Sequence, residues 1–337
     1  MLLWVAASLL LAAVISPWLY QGGKGYGEQA AARQLSGVAG WLGAACQRAT
    51  SGRMFNRSML LAALLLLPLL FRRLRALRQT GGGMRPAGAP MSLARGLGQV
   101  MLGLVIAGGV VWGLGVVVRE LGAVTPYPAE PSTKRLLLQA VLPAVGVSVV
   151  EEWLFRGLLL GLWLRVARPL SACIGSSLMF AFLHFLTPRH EVGIIEPSSA
   201  AAGFRQLGGI LLRFTEPRFF TADFLTLFTV GIILALARLR TGRLWLCVGL
   251  HCGWVIAFKA YNLTYVKVPD GPLNGWWLGD SLRSGLLPLA MLGITAGVCH
   301  VVLQRVGYHS KVSPEKIPVP APLIGVPPQA AEGLDNS

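Results

Sequence analysis

Eight stretches of this chain are apolar over lengths near the roughly 20 residues that a helix needs to cross a bilayer, and this restricts the fold more than any other feature. They are residues 2–20, 54–71, 97–118, 136–164, 169–186, 219–237, 244–263 and 286–303. In a lipid interior the backbone must satisfy its own hydrogen bonds, so such segments are helical. The expected fold is all-α: a polytopic transmembrane helical bundle of about eight spans. Charge agrees with this, because only 13% of the residues are Asp, Glu, Lys or Arg, against about 25% in a soluble domain. Five unclustered cysteines in 337 residues do not form a disulfide scaffold. The net charge of +16 is assigned to cytoplasmic loops rather than to nucleic-acid binding, since no basic stretch is interleaved with stacking aromatics.

Composition divides the chain into four parts. Residues 1–78 form a two-span N-terminal region, and the first span lacks the cationic start and cleavage site of a removed signal peptide. A Gly- and Pro-rich linker covers 79–96, a six-span membrane core 97–306, and a Pro-rich tail without fixed structure 307–337. Gly103, Gly108, Gly109, Gly113 and Gly115 in the third span favour close helix contact. The stretch from His184 to Pro217 mixes charges with Phe204, Leu207, Ile210, Leu211 and Leu212, as a lid or an interfacial amphipathic piece does. Arginines cluster after the second span (Arg72, Arg73, Arg75, Arg78, Arg85, Arg95), after the fourth (Arg165, Arg168) and after the sixth (Arg238, Arg240, Arg243). These loops fall on one side, which places both termini in the cytoplasm of an inner (plasma) membrane protein. The loop between the first two spans, with Lys24, Arg33, Arg48, Arg53 and Arg57, runs against that pattern. Trp276 and Trp277 mark an interfacial anchor before the last span.

Charges inside spans are costly, so each needs a reason. The fourth span carries Glu151, Glu152 and Arg156. Glu152 and Arg156 are i and i+4 on a helix and can pair, whereas Glu151 lies about 100° around the axis and looks elsewhere. An unmatched carboxylate in a low dielectric suits general acid–base work, while a packing ion-pair network is the alternative reading of the same segment. His184 ends the fifth span, four residues after Phe180, and His251 sits in the seventh. A single histidine in an apolar helix is usually a packing residue. Two of them with a Glu-Glu-x-x-x-Arg pattern, on three spans, are what a bundle needs to converge polar groups on one pocket. Ser148 reads as a packing residue and His190 as a solvated loop residue, while His300 and His309, near the last span's end and in the tail, read as packing or surface residues.

Glu151-Glu152-x-x-x-Arg156, Phe180-x-x-x-His184 and His251, in that order on successive apolar segments, resemble the type II CAAX prenyl endopeptidase family, also called CPBP intramembrane proteases. Arg156-Gly157-Leu158-Leu159 and Thr241-Gly242-x-Leu244-Trp245 resemble the family's surroundings, and the likeness covers roughly residues 135–260. The resemblance implies that Glu151 activates a water with help from His184, that His251 stabilises the tetrahedral oxyanion, and that Glu152 and Arg156 support Glu151. It implies an intramembrane endopeptidase acting on a lipidated or membrane-associated protein, with the lipid bilayer and that substrate as partners and no nucleic acid. One position departs from the pattern: four residues after the His, where the family has Asn or Asp, this chain has Val255. Valine donates no hydrogen bond, and losing an oxyanion donor costs about 10²–10³ in rate. Asn262 is a distant candidate to replace it. An inactive scaffold or immunity protein is therefore the alternative reading.

No cofactor is expected, although two histidines and a carboxylate can ligate zinc, so a metal held by Glu151, His184 and His251 stays open. There is no His-Glu-x-x-His and no Gly-x-Ser-x-Gly. A proton-relay transporter would fit the buried charges, but no inverted repeat accompanies them.

Overall fold

The computed structural model describes residues 2–80, 91–186, 196–217, 223–279, 282 and 285–306. Its helices are α1 (Leu2–Ala32), α2 (Gly37–Gln47), α3 (Ser51–Thr80), α4 (Leu93–Glu120), α5 (Thr133–Arg165), α6 (Pro169–His184), α7 (Ala202–Leu212), α8 (Leu225–Thr241), α9 (Trp245–Thr264) and α10 (Leu286–Arg305). The fold is an all-α bundle. A two-stranded antiparallel pairing of Val124–Pro126 (β1) with Tyr265–Lys267 (β2) ties the end of α4 to the end of α9.

Within the described residues each of the eight apolar stretches overlaps a helix. By length and composition, five helices among the described residues can cross a membrane: α1, α4, α5, α9 and α10. α6 is apolar but shorter, at 16 residues. The expected linker at 79–96 is helical at both ends, because α3 runs to Thr80 and α4 begins at Leu93 behind its Ser92 cap. Residues 81–90, the tail from 307, His190 and His309 lie outside the described residues.

Close approach of α4 and α9 organises the core. A Cβ on Gly103 would come within 2.6 Å of the Leu250 backbone nitrogen, and one on Gly249 would collide with the Val100 carbonyl. Gly109 and Gly113 instead have open space beside them, so only part of the glycine stripe serves this contact. Gly249→Leu should therefore separate the two helices, and overpacking of this kind costs about 1–3 kcal/mol. Thermal unfolding of the purified protein in detergent tests this, with Gly113→Leu as the expected neutral control.

Within the amphipathic stretch after α6, the described part includes α7, and residues 187–195 lie outside the described residues. α7 docks on the N-terminal region: Gly203 abuts the Ala13 carbonyl and Gln206 Nε2 donates to Ser51 Oγ at 3.2 Å. Phe204, Leu211 and Leu212 on its other side are exposed, as an interfacial helix requires.

Candidate active site

α5 is not a uniform α-helix. Leu137–Val141 and Trp153–Leu159 are π-helical turns, and the second begins immediately after Glu152. Such wide turns often occur at functional sites. Phe155, Arg156 and Leu159 within it are all buried.

The two adjacent glutamates are separated by the helical rotation. Glu152 is fully buried, and its Oε1 accepts from Arg156 Nη1 and from His251 Nδ1, both at 2.8 Å. Arg156 also donates through Nη2 to the Gly231 carbonyl at 3.3 Å and stacks over the Phe180 ring at 4.4 Å. Gly231 is required there, since a Cβ would press on Ser177 of α6 at 2.7 Å. Three helices besides α5 thus converge on this ion pair: α6, α8 and α9.

Glu151 faces the other way, with 24% of its side chain exposed. Its Oε2 lies 3.4 Å from His184 Nε2 and 3.9 Å from His251 Nε2. Both imidazoles are held by their opposite nitrogen. His184 Nδ1 is 2.8 Å from the Phe180 carbonyl. A carbonyl only accepts, so Nδ1 carries a proton and Nε2 is the atom offered to Glu151. His251 Nδ1 donates in the same way to the Glu152 carboxylate. Each histidine therefore presents Nε2 to one carboxylate oxygen.

The groups open into a cavity of about 320 Å³, lined mostly by apolar side chains such as Val147, Val230, Trp254, Val255, Phe258 and Met291. The structure places Glu151, His184 and His251 on this cavity, with Glu152 and Arg156 behind them. Among the described residues no group of three or more His, Cys, Asp or Glu is arranged to hold a metal ion. Val255 lines the cavity directly, so the position lacking its amide or carboxylate is at the site. Asn262 is a correction to the sequence expectation. It is exposed and lines a separate pocket with Tyr127 and Lys267, out of reach of His251. His300 pairs with Arg240 at 2.7 Å on the surface and is remote from the site.

Residues 133–257 match the type II CAAX prenyl endopeptidase Rce1-like family. The matched segment runs from the start of α5 into α9 and contains all five polar residues of the constellation. No curated protein and no solved structure matches the chain. The Rce1-like match supports a CAAX protease-type function in general, and the apolar helices around it make this an integral membrane protein.

Sequence reading passed over two cavity residues. Trp254, 7% exposed, has an indole N–H with no hydrogen-bond partner among the described residues. Lys259 also lines the cavity, and a lysine five residues inside the end of an apolar span was a legible signal.

Proposed function

We propose that the protein is a glutamate-dependent intramembrane endopeptidase that cleaves lipidated or membrane-associated protein substrates. The observation that carries this reading is the convergence of Glu151 Oε2 with the Nε2 atoms of His184 and His251 at the wall of an apolar cavity. The Glu151 carboxylate takes a proton from water as its oxygen attacks the scissile carbonyl. His184, held by the Phe180 carbonyl, orients that water and shares the proton. His251 Nε2 faces the developing oxyanion, while Glu152 holds its other nitrogen. Arg156 balances the Glu152 charge. When the tetrahedral intermediate collapses, the C–N bond breaks and the proton passes from Glu151 to the leaving amine. The basic loops support an inner-membrane protein with both termini in the cytoplasm.

Val255 favours a second reading, an inactive scaffold on the same architecture. Against it stands the convergence of Glu151, His184 and His251 on the cavity wall, which supports the enzymatic reading. Proteoliposomes holding the protein should hydrolyse a farnesylated CAAX peptide slowly, and Val255→Asn should raise kcat by up to about 10²-fold. No turnover by either protein would overturn the protease reading in favour of the scaffold.

A further inference from the structure

The turn between α8 and α9 carries charge that the catalytic reading does not use. Gly242 takes a left-handed conformation there, at φ 67°, where a side chain would be strained. Thr241 Oγ1 donates to the Ala237 carbonyl at 2.8 Å, and the Arg243 amide donates to that same hydroxyl at 3.4 Å. The chain is thus turned back so that Arg243 sits beside Arg238 in the last turn of α8, close enough for the two charges to repel. Arg238 is partly buried, and its Nε is shut off from water with no hydrogen-bond partner among the described residues. Its guanidinium makes no ion pair among them either.

The surroundings supply no counter-charge. Arg95 at the start of α4, Arg165 at the end of α5 and Arg305 at the end of α10 add further positive charge, and no Asp or Glu lies in those turns. Arg240 is already engaged with His300 Nδ1. Glu152, deeper in the bundle, is taken by Arg156 and His251. Two guanidiniums held together away from water are costly unless an anion lies between them, and their planar donor sets match a phosphate. Depth in the bilayer says which phosphate. Trp245, two residues on, packs against Gly96 of α4, where a Cβ would lie 2.7 Å from the indole ring. A tryptophan beside arginines at the start of an apolar span marks the level of the lipid headgroups, where basic pockets between helices bind anionic lipids. We propose that Arg238 and Arg243 bind the phosphate of an anionic phospholipid at the turn between α8 and α9. The inference stands whether or not the protein cleaves peptides.

The test is thermal unfolding of the purified full chain in neutral detergent, titrated with phosphatidylglycerol or with phosphatidylcholine. A ligand that binds the folded state raises the unfolding temperature in a saturable way. Phosphatidylglycerol should do so and phosphatidylcholine should not. Arg238→Gln with Arg243→Gln should weaken the apparent affinity for phosphatidylglycerol by about 10–100-fold, as the loss of charge-assisted hydrogen bonds predicts. Arg95→Gln with Arg305→Gln removes the same charge from the same end and should keep the response. An equal response to the two lipids overturns the proposal. Equal loss in the two double variants overturns it too, because a diffuse basic field would then be enough. Inorganic phosphate at millimolar concentration giving the same stabilisation without lipid would assign the site to a soluble anion instead. If the first double variant does not fold, Arg243→Gln alone serves, since it changes only the turn. A full phosphatidylglycerol response in that variant overturns the proposal, and a weakened one supports it.

Discussion

Glu151→Gln removes peptide hydrolysis, lowering kcat/KM on a farnesylated CAAX peptide by about 10²–10⁴, the range expected when a positioned general base is lost. The amide has the size of the carboxylate but cannot take a proton from water. The substitution should leave the fold intact, because Glu151 is the partly exposed member of the pair and the buried hydrogen bonds of this region are made by Glu152. Unchanged insertion and thermal unfolding alongside lost turnover is the expected pair of results. Undiminished hydrolysis by Glu151→Gln would defeat the glutamate-dependent mechanism.

Arg156→Ala has the opposite character and acts first on stability. Arg156 and Glu152 are 3% and 0% exposed, so removing the guanidinium strands a carboxylate away from water. Breaking a buried pair from one side costs about 3–5 kcal/mol. The Gly231 carbonyl also loses its donor and the Phe180 ring its stacked cation. Replacing both partners by apolar residues, as in Glu152→Leu with Arg156→Met, should cost less than Arg156→Ala alone, because no charge is left behind. Thermal unfolding in detergent reads both variants. Less than about 1 kcal/mol lost in Arg156→Ala would mean that the pair does not hold the helices together.

Much of the architecture was legible because the bilayer imposes a strong one-dimensional code: long apolar runs become helices. The division of labour within Glu151-Glu152 was legible too, since 100° per residue cannot aim neighbours at one partner. The fate of His184 to Pro217 was not. Its amphipathic pattern fits a lid or an interfacial helix equally, and only the contacts of Gly203 with Ala13 and Gln206 with Ser51 place its α7 part on the N-terminal helices. The π-turn at Trp153–Leu159 also has no mark in composition, because it depends on how α5 is packed by its neighbours. Asn262 was a distant candidate by sequence, eleven residues beyond His251, and the structure places it at a different pocket.

The sequence by itself determined an integral membrane bundle, the helices that form it, and the few charges and histidines that had to be explained within apolar segments. These follow from local properties, namely hydrophobic length and helical periodicity. Only the tertiary structure decided which nitrogen of each histidine faces Glu151, that Gly231 of α8 completes the Arg156 shell, and that Lys259 shares a cavity with the glutamate–histidine cluster. Those relations join residues far apart in the chain, such as Glu151 and His251, and side-chain direction across helix contacts is set by packing, which no single helix encodes.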